Sequence, residues 1–247
     1  MLNDTGPTQL ARRQIFKKTI AMSAATAAAT AGISLPTITF AASLSKDERD
    51  EMTPADVIER FKQGNLRFRQ SKPLQHDFLA QMRKSASGQF PAAVVLSCID
   101  SRAPAEIIMD AGIGETFNTR VAGNVGNADV LGSMEFACAV AGAKLVLVLG
   151  HTSCGAVKGA IGNAELGNLT GLLDKIRPAI AQTSYSGDRS ADNYDFVDAV
   201  ARKNVEMTVQ GIREKSLVLK NLEAENKIRI VGGMYYLAGG QVEFFDV

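Results

Sequence analysis

Several short stretches of this chain are apolar at almost every position rather than at alternate ones. Ala92-Ala93-Val94-Val95-Leu96, Leu145-Val146-Leu147-Val148-Leu149 and the run from Ile228 to Tyr236 are the clearest. Continuous apolar runs of strand length suit strands buried on both faces. They predict strands at 92–97, 144–149 and 228–236, joined by a weaker strand at 115–121 and a last one at 242–245. Between them the period lengthens to that of a helix. Thr53-Pro54-Ala55-Asp56 supplies an N-cap, a first-turn proline and an acidic first turn. Val57, Ile58, Phe61 and Leu66 then recur at helical spacing as far as Arg69. Further helices are predicted at 78–86, from 104, at 129–141, from 156, and at 169–181, 195–212 and 215–224. Ser45–Asp50 reads as a charged lead-in and Ala122–Asn127 as a turn-rich loop. Alternating strands and helices predict an α/β fold: a mainly parallel central sheet flanked by helices. In such sheets sites lie beyond the carboxyl ends of the strands.

The first forty residues follow another pattern. Arg12-Arg13-Gln14-Ile15-Phe16-Lys17 precedes an apolar, Ala-rich stretch from Thr19 to about Ser34, and small residues follow at Ala41 and Ala42. A basic segment, a modest apolar segment and a small-residue cleavage site make an export signal, and the paired arginines resemble the twin-arginine type. The expectation is a signal over residues 1–42 cut after Ala41 or Ala42. A single catalytic domain over 43–247 would then reside in the periplasm, without a stable membrane anchor. The formal net charge is +1, which argues against broad attraction to nucleic acid.

Composition also limits the chemistry. Three cysteines in a chain of 247 residues argue against a disulfide scaffold. The two histidines, His76 and His151, exclude a three-histidine metal site within one chain. Cys98 directly follows the first core run, and His151 and Cys154 directly follow the second. A lone cysteine after a buried strand is ordinarily a small core residue. Two such pieces at the ends of comparable core strands instead predict that two thiolates and an imidazole converge, a donor set suited to Zn²⁺ with a fourth position open. Cys138, inside an apolar helical stretch, reads as core, and His76 as exposed. Asp100 and Arg102 form either a structural ion pair or a functional one, in which Arg102 keeps Asp100 ionised beside the metal. Whether Asp100 orients a water or fills the fourth position itself stays open.

Cys98-x-Asp100-Ser101-Arg102 followed by His151-x-x-Cys154-Gly155 resembles the β-class carbonic anhydrases. Gly64-Asn65-x-Arg67-Phe68 and Arg120-Val121-Ala122-Gly123-Asn124 extend the resemblance over about residues 47–247. It implies one Zn²⁺ per chain held by Cys98, His151 and Cys154, with Asp100 as fourth ligand only in a closed state. The implied reaction is reversible hydration of CO₂ to bicarbonate by a zinc-bound hydroxide, oriented by the Asp100–Arg102 pair. The resemblance also implies a homodimer or dimer of dimers, and a hydrogen bond from Gln89 to a substrate oxygen near the dimer interface. Some members carry a second bicarbonate pocket built from Trp, Arg and Tyr. The matching positions here are Val95, Arg120 and Phe136, so that pocket is expected to be missing. A hydrolase of COS or CS₂ on the same scaffold, or a catalytically silent zinc protein, remain alternatives.

Overall fold

The computed structural model describes residues 43–247; the expected signal segment lies outside them. The apolar runs become strands of one sheet. Among the described residues these are β1 (Ala93–Ser97), β2 (Thr116–Arg120), β3 (Leu145–His151), β4 (Arg229–Tyr235) and β5 (Val242–Phe245), in the order β2-β1-β3-β4-β5. The first four pair in parallel, and β5 returns antiparallel along β4. Every residue of β1 and β3 is buried, because helices cover both faces of the sheet.

On one face, Val94, Leu96, Val146 and Val148 pack with Phe196, Val200, Val205 and Val209 of α9 (Tyr194–Lys215). On the other, Ala93, Val95, Leu145 and Leu147 pack with Val57, Ile58 and Phe61 of α2 (Pro54–Arg69) and Ile108 of α4 (Ala105–Ile108). Adjacent residues of one strand therefore feed two cores, which is why the runs lack alternation. The register sets Ser97 beside Leu149, and β3 continues for two more residues, Gly150 and His151. Cys98 and His151 thus emerge at the same end of neighbouring strands.

The remaining elements are α1 (Lys46–Glu51), α3 (Phe78–Ser85), α5 (Ala128–Glu135), α6 (Gly155–Ile161), α7 (Gly167–Leu173), α8 (Arg177–Gln182) and α10 (Leu217–Ala224). Three details differ from the sequence expectation. The charged lead-in is helix α1, started by a reciprocal cap between Ser45 and Glu48. The helix expected at 169–181 is two, α7 and α8. Pro178 sits in the first turn of α8, where its missing N–H is harmless; in the interior of one long helix it would remove a hydrogen bond. The expected break between α9 and α10 is present: Ser216 leaves helical geometry and caps α10 through Leu219 N–H. After Glu135 the chain widens into a π-turn over Phe136–Val140. No helix among the described residues is long and apolar enough to cross a membrane.

Candidate metal centre

Cys98 lies one residue past β1 and is 4% exposed. Its Sγ accepts a hydrogen bond from Gly123 N–H at 3.3 Å. Gly123 has φ +66°, and a Cβ there would lie 2.6 Å from Ile176 Cδ1, so only glycine lets the backbone come this close to the sulfur. His151, the last residue of β3, is 1% exposed. Its Nδ1 donates to Thr152 O at 2.8 Å. That contact leaves Nε2 as the bare acceptor nitrogen, and Nε2 is buried with no hydrogen-bond partner. Cys154, 2% exposed, immediately precedes α6. The ligand atoms of Cys98, His151 and Cys154 all lie within 4.8 Å of one another.

A buried imidazole nitrogen without a partner is costly. The two thiols beside it cannot both ionise cheaply. The neighbouring Cys154 thiol outweighs burial and draws the Cys98 thiol well below its ordinary value. In return, Cys98 and burial push the Cys154 thiol strongly up. The pair thus carries one negative charge easily and a second only with a cation present. Two sulfurs and one imidazole nitrogen, dry and anionic, fit Zn²⁺.

At the rim stands Asp100, clamped by Arg102. Arg102 N and Nε donate to Oδ1, both at 2.9 Å, and Nη2 donates to Oδ2 at 2.7 Å. The Arg102 hydrogen bonds hold the Asp100 carboxyl down at about 2. Asp100 Oδ2 lies 3.8 Å from His151 Nε2.

Arg120 spans the same loop from β2, donating through Nε to Cys98 O at 2.9 Å and through Nη2 to Asp100 O at 2.5 Å. Arg120 stood in the sequence as part of the Arg120–Asn124 motif and as the remnant of a pocket, not as a brace for this loop. Val95 packs into the α2 side of the core. Phe136 instead meets Phe117 edge-on at 6.2 Å, and Phe117 packs on the α9 side. The three residues serve different ends.

The second ligand loop is held by residues the sequence did not single out. Asp198, on α9, accepts Ser153 N–H at 2.6 Å. Burial raises the Asp198 carboxyl above its ordinary value, opposed by that hydrogen bond. Ser153 has φ +54°, and its carbonyl accepts Arg102 Nη2 at 3.4 Å. Thr152 N–H donates to Tyr235 O, and its Oγ1 accepts Leu237 N–H, both at 3.0 Å. Asn204 Nδ2 donates to Gly123 O at 2.7 Å.

One further sequence expectation, that for His76, needs correction, and the place of Gln89 bears on the assembly. Gln89 is exposed in the loop ahead of β1, beside Lys84 and Phe90. Cys98 leaves the other end of that strand, and β1 alone spans roughly 17 Å, so one chain does not bring Gln89 to the centre. His76 is not an exposed residue. Its side chain is 9% exposed, its Nε2 lies 3.1 Å from Asp110 Oδ1, and its ring stacks on Phe78 at 5.3 Å. Asp110 also takes Arg67 Nε at 2.6 Å and Leu74 N–H at 3.0 Å, which draws the 71–77 segment inward. Cys138 is core as expected, and burial pushes its thiol up to about 12.

Residues 93–242 match the family model described as carbonic anhydrase. The chain belongs to the β-class carbonic anhydrase family. It is 35% identical over 200 residues to carbonic anhydrase 2 of Mycobacterium tuberculosis, covering 78% of this chain and 93% of that one. It is 35% identical over 196 residues to carbonic anhydrase of Mycolicibacterium smegmatis, covering 77% and 92%. Among solved structures, the β-carbonic anhydrase CafA of Aspergillus fumigatus superposes with a TM-score of 0.60 at 28% identity, over 78% of this chain and 90% of that one. A tetrameric β-carbonic anhydrase from Sordaria macrospora shares the fold, with a TM-score of 0.62 at 23% identity over 67% and 86%. As a carbonic anhydrase, the protein is a lyase that interconverts CO₂ and bicarbonate, and the Cys98–His151–Cys154 cluster could hold a metal ion.

Proposed function

We propose that Cys98, His151 and Cys154 hold one Zn²⁺ per chain, and that Asp100, kept ionised by Arg102, orients the attacking water for CO₂ hydration. The buried, unpartnered Nε2 of His151, clustered with the two sulfurs so that all three ligand atoms lie within 4.8 Å of one another, carries this reading. Bound there, Zn²⁺ supplies the Lewis acidity that makes water a nucleophile near neutral pH. The chain's own residues do the rest. Arg102 takes two bonds at Oδ1 and one at Oδ2, which leaves Oδ2 free to accept another on the His151 side. An ionised Asp100 can only accept, so a water meeting it points its hydrogen at Oδ2 and its lone pair elsewhere. Arg120 fixes the two carbonyls of that loop, and with them the direction of the carboxylate. Stopped-flow CO₂ hydration with zinc stoichiometry on the purified protein tests this. Asp100→Asn should keep the zinc and lose about two orders of magnitude in turnover; near-wild-type turnover would remove Asp100 from the mechanism.

The protein is further proposed to act as a homodimer or dimer of dimers. Ile99, beside the centre, and Phe136 and Val140 of the π-turn are exposed apolar side chains, and the Sordaria enzymes sharing this fold are described as tetrameric. The proposed compartment is the periplasm, reached through the Arg12-Arg13 segment. Cys98 and Cys154 lie close enough to be at risk in an oxidising compartment, so metal loading before export follows naturally. Replacing Arg12-Arg13 by Lys-Lys should then retain active enzyme in the cytosol. Undiminished periplasmic activity would overturn the route.

A further inference from the structure

Away from the metal cluster, a cavity of about 700 Å³ opens between the start of α5 and the second half of α9. That volume is in the range of small-molecule sites. Its apolar wall includes Leu131, Met207 and Ile212, and Lys175 and Lys215 also line it. Neither lysine has an ion-pair or hydrogen-bond partner for its ammonium among the described residues. An apolar hollow with two uncommitted cations is complementary to a molecule with a hydrocarbon body and an anionic head.

Two observations argue that the space is kept open and connected. Gly211 lies within α9, where glycine is among the poorest helix formers. A Cβ built on Gly211 meets nothing nearer than Lys215 Nζ at 4.0 Å, so the helix has room for a side chain that the sequence withholds. Asn204, another lining residue, is 3% exposed, and its Nδ2 donates to Gly123 O at 2.7 Å. Gly123 N–H in turn donates to Cys98 Sγ. An occupant of the cavity therefore touches a residue that holds the backbone against a sulfur of the metal site.

We propose that this cavity is an effector site for an amphiphilic carboxylate, bound between Lys175 and Lys215 and acting on the metal centre through Asn204 and Gly123. Octanoate is the probe, and 1-octanol, of equal length without the charge, is its control. Isothermal titration of the purified enzyme should give saturable octanoate binding with a Kd below about 1 mM, and 1-octanol should bind at least about tenfold more weakly. Lys175→Gln with Lys215→Gln should weaken octanoate about tenfold or more. Gly211→Phe should place a ring inside the cavity beside Lys215 and block binding there, with a melting temperature at or above that of the parent. Saturating octanoate should change the CO₂ hydration rate of the parent at least about twofold and leave Gly211→Phe unaffected. No saturable binding, equal affinity for the alcohol, or undiminished binding by Gly211→Phe overturns the site. An unchanged rate overturns its coupling, and a rate effect that survives Gly211→Phe places the carboxylate at the metal centre instead. The titrations do not depend on which metal the centre holds, so their failure is distinct from failure of the zinc reading.

Discussion

Ser153 shows how single residues set this centre. It sits in left-handed geometry between His151 and Cys154, a conformation that costs a non-glycine residue free energy and needs outside support. Asp198 provides it with a 2.6 Å acceptor for the Ser153 N–H. Loss of that acceptor leaves an amide unpaired and frees the loop that carries two of the three proposed ligands. Asp198→Ala should weaken zinc binding about 10–100-fold, as outer-shell losses commonly do, while Asp198→Asn, which keeps an oxygen in place, should recover most of it. Competition with a fluorescent zinc chelator measures both; equal affinities for Asp198→Ala and the parent would show that the loop holds itself. The convergence of Cys98, His151 and Cys154 was legible in the sequence because cysteine and histidine are scarce here and directly follow apolar runs. Asp198 and Arg120 were not. Their partners are backbone amides and carbonyls, which exist at every position and leave no mark in a side-chain pattern.

At the level of elements, legibility followed how locally each one is determined. β1 and β3 could be read because burial on both faces demands apolar residues at every position, and α2 because its cap, its proline and its apolar stripe all agree. The break between α7 and α8 was marked by Pro178 but hidden by the apolar positions on either side, which continue the helical period across it. The π-turn after Glu135 had no local signal. Thr53 closes a reciprocal cap with Asp56 at the start of α2, so Thr53→Ala should lower the unfolding free energy by about 1 kcal/mol. Gly64 of the same helix is a harsher test. A Cβ there would lie 1.9 Å from Met109 O, a backbone atom that cannot swing aside. Gly64→Ala should therefore destabilise by about 3 kcal/mol or more, despite the better helix propensity of alanine. Chemical denaturation compares the two variants. A gain in stability for Gly64→Ala would mean that α2 and the chain after α4 do not approach this closely.

For the whole molecule, the position of Gln89 separates what one chain supplies from what an assembly supplies. The loop carrying it lies at the entrance of β1, and the cluster lies at the exit. A substrate contact from Gln89 therefore requires a second copy whose β1 runs the opposite way, as a two-fold axis provides. The sequence could suggest the residue but not its direction, because chain distance does not reveal which protomer's site a side chain enters. A mixing experiment decides the matter. In Asp100→Asn every centre lacks its carboxylate, and in Gln89→Ala every centre lacks its amide. If Gln89 acts across a dimer, a mixed dimer holds one centre with both defects and one with neither. With random re-association, half of the dimers are mixed, so two weakly active preparations should together recover about a quarter of wild-type CO₂ hydration. If Gln89 serves its own chain, each centre of a mixed dimer keeps one defect and nothing is recovered. Recovery after dissociation and re-association, set against the same preparations combined without it, gives a difference that no change in stability could mimic.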